Sequence, residues 1–276
     1  MNKFKTFDGL NLAYTDDGPK DALPLLCLAG LTRNSQDFRY LSPHLGDVRL
    51  ICMDYRGRGQ SDWSPSLQDY TIPVEARDVL ALLDHLELPS VAVLGTSRGG
   101  LIGMTLALMA KDRLRGLCLN DIGPELNPRG LNRIMDYLGQ PPPYASVHEM
   151  ALDRPRVMSG FVDVPHKRWV QEVENQTITT DAGLTINYDP ALRDAVIEAS
   201  AAGPQNLWPL FDALHNLPIG LLRGANSDLL TPNTAQAMRM RHTDCLFAQV
   251  ANRGHVPFLD EPESIQLIRQ WIDKCR

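Results

Sequence analysis

The sequence predicts an α/β fold, with a mostly parallel central sheet flanked by helices and interrupted once by an inserted helical segment. Three observations lead there. Short, almost continuously apolar runs such as LPLLCLAG (23–30) and SVAVLGT (90–96) read as strands buried on both faces. Helix-like stretches alternate with them, as strand–helix–strand units require. The alternation stops near Pro124, is absent to about Gly203, and then resumes.

The elements follow in order. KFKTF and LNLAYT flank Asp8-Gly9, a tight-turn dipeptide, and predict a hairpin. LPLLCLAG predicts the first buried strand, and SQDFRYLSPHL a short helix capped by Ser35. VRLICMDY (48–55) predicts a second buried strand, running into the glycine-rich turn RGRGQSD, which Ser61 and Asp62 are expected to fix. The stretch 73–88 has apolar residues at 76, 79, 80, 83 and 86 with a proline at its start, which is helical spacing. SVAVLGT is a third strand and LRGLCLND (114–121) a fourth, separated by the all-round apolar helix RGGLIGMTLALMA. Residues 124–203 carry QPPPY, several methionines and helix-like pieces but no buried strand. We therefore divide the chain into a core of 1–123 and 204–276 and an inserted helical cap of 124–203. PIGLLRGAN and CLFAQVAN are later strands, and EPESIQLIRQWIDKC an amphipathic closing helix.

Composition narrows the function classes. A net charge of −6 with no basic run argues against nucleic-acid binding. No stretch reaches the roughly 18 apolar residues of a membrane span, and the N-terminus has no signal-peptide core, so a cytoplasmic location is expected. Five irregularly spaced cysteines suggest buried thiols in a reducing compartment. With no CxxC pair, a thiolate metal site is not expected; no metal and no cofactor enter the reading.

The chemistry centres on VLGTSRGG (93–100), a G-x-S-x-G turn entered by a strand and left by a helix. Such a turn lifts Ser97 above the carboxyl edge of the sheet, where open α/β folds bind ligands. A serine hydroxyl needs a base, and the base needs an orienting acid. His255 follows the last strand by a short loop and is expected on the same rim, unlike the six other histidines, which lie in polar, helix-like segments. Asp228 follows the strand IGLLRGAN and is the first choice of acid; Asp121, which follows RGLCLN, is the alternative. An oxyanion needs two backbone donors, and the expected ones are the amides of Arg98 and Leu31.

LAGLTRNSQDF, MDYRGRGQSD, GTSRGG, RGANSDLLTP and NRGHVPFLDEP together resemble the α/β-hydrolase-fold family, specifically its esterase and enol-lactonase-like branch with a helical cap. The resemblance spans nearly the whole chain. It implies the oxyanion loop, the nucleophile, the acid and the histidine loop at those segments, in the order serine, acid, histidine. Haloalkane dehalogenases and epoxide hydrolases resemble the fold but use an aspartate nucleophile, so Ser97 argues against both. Ala29-Gly30 stands where many relatives have His-Gly, which leaves the backbone donor intact. The implied function is hydrolysis of a small-molecule carboxylic ester or lactone. Alternatives on the same residues are carbon–carbon hydrolysis of a diketone, cofactor-free oxygenation, and a non-catalytic ligand receptor. Arg33 and Arg98 are candidates for attracting an anionic substrate group. Met135, Trp169 and Trp208 are candidates for lining a pocket. Neither nucleic acid nor a membrane is expected as a partner, and no oligomeric state is implied.

Overall fold

The computed structural model describes residues 1–201, 203 and 205–276. In chain order the first elements are β1 (Asn2–Lys5), β2 (Asn11–Asp17), β3 (Pro24–Leu28), β4 (Arg49–Met53), α1 (Ile72–His85) and β5 (Val91–Thr96). They are followed by α2 (Arg98–Met109), β6 (Leu114–Asn120), α3 (Pro128–Tyr137), α4 (Val147–Val157) and α5 (His166–Gln176). The rest comprises β7 (Thr177–Thr180), β8 (Gly183–Ile186), α6 (Leu192–Ala201), α7 (Trp208–Asp212), β9 (Ile219–Gly224), α8 (Pro232–Arg241), β10 (Leu246–Val250) and α9 (Pro262–Cys275).

Eight strands form one sheet in the order β1-β2-β4-β3-β5-β6-β9-β10. Only the pairings made by β2 are antiparallel. The apolar runs are continuous because both faces are covered. Leu26, Leu28, Ile51, Met53 and Val93 face one core, shared with α1, α2, α7 and α8. Their neighbours Leu25, Cys27, Leu50, Cys52, Ala92 and Leu94 face the other, where α9 packs Leu267, Ile268, Trp271 and Ile272. Alternation of side chains across a strand thus sends successive residues into different cores. Cys27, Cys52 and Cys118 are buried in these layers, and burial pushes the Cys27 and Cys118 thiols well up, keeping them protonated packing groups.

Two local expectations change. SQDFRYLSPHL forms two short 3₁₀ turns, Ser35–Tyr40 and Ser42–His44, and the cap is Asn34, whose side chain accepts from the Gln36 amide. The inserted segment contains four helices among its described residues and also the hairpin β7–β8, so it is not purely helical. Its strand TITT is largely exposed, which hides it from a search for apolar runs. The expected boundary between 203 and 204 falls beside residues 202 and 204, which lie outside the described residues.

Candidate active site

β5 ends at Thr96 and α2 begins at Arg98, leaving Ser97 alone to make the turn. It does so at φ 49°, ψ −115°, which side chains other than glycine rarely adopt. Close packing around it requires the two flanking glycines. A Cβ on Gly95 would lie 2.5 Å from the backbone of Gly99 and Gly100, and one on Gly99 would collide with the Leu28 carbonyl. Those neighbours are backbone and cannot yield. Gly99→Ala is therefore expected to destabilise the protein by about 1–3 kcal/mol or more, read as a lower urea midpoint with unchanged slope. A wild-type midpoint would refute this account of the turn.

The His255 loop follows β10 and brings Nε2 to 3.0 Å from Ser97 Oγ. His255 Nδ1 stands 2.8 Å from Asp121 Oδ2. Asp121 follows β6 directly, at φ 55°, and is fully buried. Its Oδ1 accepts from the Gly224 amide at 2.8 Å and its Oδ2 from Ser227 Oγ at 2.6 Å. Asn120 secures the histidine loop by donating from Nδ2 to the Pro257 carbonyl at 3.1 Å.

Asp228, the first choice from the sequence, is not beside His255. Its Oδ2 accepts from Arg133 Nη1 at 2.7 Å, turned toward the inserted segment. The loop after β9 contributes Ser227 to the site in its place, and the carboxylate comes from the loop after the adjacent strand β6. Asp121 lies between Ser97 and His255 in sequence, so the order serine, acid, histidine is kept.

The expected oxyanion donors flank this relay. Among the described residues, the amides of Leu31 and Arg98 donate to no protein acceptor, while the next amide on α2, Gly99, donates to Ala29 O at 3.1 Å. That same carbonyl accepts from Tyr55 Oη at 3.0 Å, which fixes the loop after β3. A Cβ on Gly30 would lie 3.9 Å from Ser97 Cβ, so the loop passes directly over the serine.

A buried set of charges supports both donors. Arg58 Nε donates to Leu31 O at 2.9 Å, and Arg58 Nη1 pairs with Glu75 Oε1 at 2.7 Å. Glu75 Oε2 accepts from Arg98 Nε at 2.6 Å. Burial opposes ionisation of Glu75, yet the two guanidiniums outweigh it and hold the carboxyl below its ordinary value. Arg58 and Glu75 escape a reading of the sequence because buried charges leave no apolar pattern. The surrounding turn is fixed by Ser61, whose Oγ donates to Asp54 O at 2.6 Å and accepts from the Ala13 amide, and by Asp62, which accepts from the Asn11 amide.

The candidates for substrate contact are mostly engaged elsewhere. Arg98 is spent on Glu75 and on Tyr70 O. Arg33 pairs with Asp37 and Glu172, both at 2.6 Å from Nη2. Met135 and Leu31 pack against the cluster of Tyr70, Leu138 and Tyr188. Trp169 is buried beside Phe161, and Trp208 donates from Nε1 to Glu125 at 2.7 Å.

The chain matches a family model described as alpha/beta hydrolase fold over residues 24–262. It belongs to the α/β-hydrolase-fold family. It is similar to 3-hydroxybutyrate-oligomer hydrolase of Cupriavidus necator, with 34% identity over 272 residues, covering 95% of this chain and 92% of that protein. Among solved structures, an α/β hydrolase from Novosphingobium aromaticivorans superposes with a TM-score of 0.90 at 33% identity, covering 99% of this chain and 97% of the other. A putative hydrolase from Rickettsia typhi gives 0.84 at 27% identity, covering 96% and 92%. As in that α/β-hydrolase architecture generally, ligands are expected at the carboxyl edge of the sheet, where Ser97, Asp121 and His255 meet. No helix among the described residues is long and apolar enough to cross a membrane.

Proposed function

We propose that this protein hydrolyses a small carboxylic ester or lactone through an acyl-enzyme on Ser97. The observation that carries this reading is the continuous contact from Ser97 Oγ through His255 to the buried Asp121 carboxylate, at 3.0 and 2.8 Å. A carboxylate only accepts, so it keeps the proton on Nδ1 and leaves the Nε2 lone pair facing the serine. His255 takes the hydroxyl proton as Oγ attacks the carbonyl, and the Leu31 and Arg98 amides receive the oxyanion. His255 then protonates the departing alcohol, and water activated by the same nitrogen cleaves the acyl-enzyme. The segment 124–203 serves as the cap over this rim, and Asp121 takes the orienting role first considered for Asp228. The similarity to 3-hydroxybutyrate-oligomer hydrolase supports esters of short hydroxy acids as the substrate class.

The test is a fluorophosphonate probe followed by peptide mass mapping. Stoichiometric labelling on Ser97 is expected, with none in Ser97→Ala and strongly slowed labelling in His255→Ala. Failure of the wild-type protein to label would refute the nucleophile assignment.

A further inference from the structure

Among the described residues, the inserted segment holds a cation that makes no ion pair. It is Arg154, on α4; its Nη2 donates to the neutral Gln176 Oε1 at 2.9 Å, and its Nε is buried without an acceptor. Burying an unsatisfied donor of a charged group is costly. The nearby carboxylates are committed. Glu172 Oε2 receives Arg33 Nη2 at 2.6 Å and Gln176 Nε2 at 3.4 Å, Asp37 is held by Arg33, and Asp228 by Arg133.

Arg154 is joined to the loop beside the serine by a run of side chains. Arg33 leads to Glu172, Glu172 to Gln176, and Gln176 to Arg154. At the other end of that chain, a Cβ on Gly30 would sit 3.2 Å from Arg33 Cγ and 3.9 Å from Ser97 Cβ.

We propose that Arg154 receives a free carboxylate on the substrate, so that the preferred substrates are hydroxy-acid esters that end in a carboxylate. This rests on the reading of Ser97 as the nucleophile. The guanidinium has a planar fork of donors, of which one is used on Gln176, and its remaining edge suits a carboxylate. The substrate is thereby held by its acid end while its ester carbonyl meets Ser97.

The linear dimer of 3-hydroxybutyric acid and its methyl ester share one internal ester and differ only in the charge at the acid end. Cleavage of that internal bond is followed by product chromatography for the wild type, Arg154→Met and Arg154→Lys. The wild type is expected to favour the free acid. Arg154→Met should lower the acid-to-methyl-ester ratio of kcat/KM by about 10- to 100-fold, mostly through KM, as loss of a charged hydrogen-bonded pair implies. Arg154→Lys should restore part of the ratio. An unchanged ratio in Arg154→Met, or a wild type that does not favour the acid, would overturn the proposal. Calorimetric titration of the free acid into Ser97→Ala separates this from the Ser97 reading. Binding that disappears in Ser97→Ala/Arg154→Met supports the carboxylate seat whatever the serine does, and binding that persists there sinks it.

Discussion

Asp121→Asn is expected to lower kcat for ester hydrolysis by about four orders of magnitude, with the fold and KM nearly unchanged. The asparagine can present an N–H to His255 Nδ1. It would then stabilise the tautomer with its proton on Nε2, leaving no lone pair for the Ser97 hydroxyl. The imidazolium formed during attack would also lose its anionic partner. Asp121 is fully buried and accepts from Gly224, Ser227 and His255, so water cannot substitute for it. Asp228→Asn breaks the pair with Arg133 instead, and its effect on kcat is expected to stay within about tenfold, the reach of a partly exposed ion pair. Steady-state kinetics on both variants decide the matter: if Asp228→Asn proves the more damaging, the relay described here is wrong.

Glu75→Gln should act on stability and rate together. It would leave Arg58, whose side chain is 0% exposed, and Arg98, at 11%, without their shared anion. Removing one member of a buried ionic set costs about 3–5 kcal/mol because the remaining charges are stranded. The rate effect comes through position. Arg58 holds the Leu31 carbonyl and Glu75 holds the Arg98 side chain, so both amides proposed to receive the oxyanion would lose their setting. Misplacing one such donor is worth about 10²–10³ in kcat. The expected outcome is a lowered urea midpoint and a lowered kcat with KM little changed. A stable variant with normal kcat would show that the Arg58–Glu75–Arg98 set does not position the oxyanion donors.

Much of the fold was readable from residues alone because burial on both faces leaves a plain mark. β3, β5 and β9 are buried at every position, and each coincides with a run of apolar residues in the chain. Ser97 was readable for a steric reason: the turn needs glycine two residues before and two residues after it, and few other local structures do. The carboxylate beside His255 was harder. β6 and β9 are adjacent in the sheet and each delivers an aspartate to the same rim. Which one turns toward His255 depends on the positive φ of Asp121 and on Arg133, 95 residues before Asp228 in the chain. Neither is a local pattern. The hairpin β7–β8 was hidden because its strands are only four residues long and neither is a continuous buried run. Arg154 gave no signal either, since a cation in a polar helix ordinarily points to water, and its lack of an ion pair among the described residues exists only in three dimensions.

The Arg33–Glu172 pair has a mechanical meaning as well. Together with the bond from Asn34 Nδ2 to the Asn175 carbonyl at 2.9 Å, it moors α5 to the stretch that carries Leu31. If Leu31 supplies an oxyanion amide, as proposed, any movement of α5 would pull on the peptide that has to cradle negative charge. On that reading, admitting a substrate past α5 and readiness for attack would be a single movement, and a gaping entrance would also be a disarmed one.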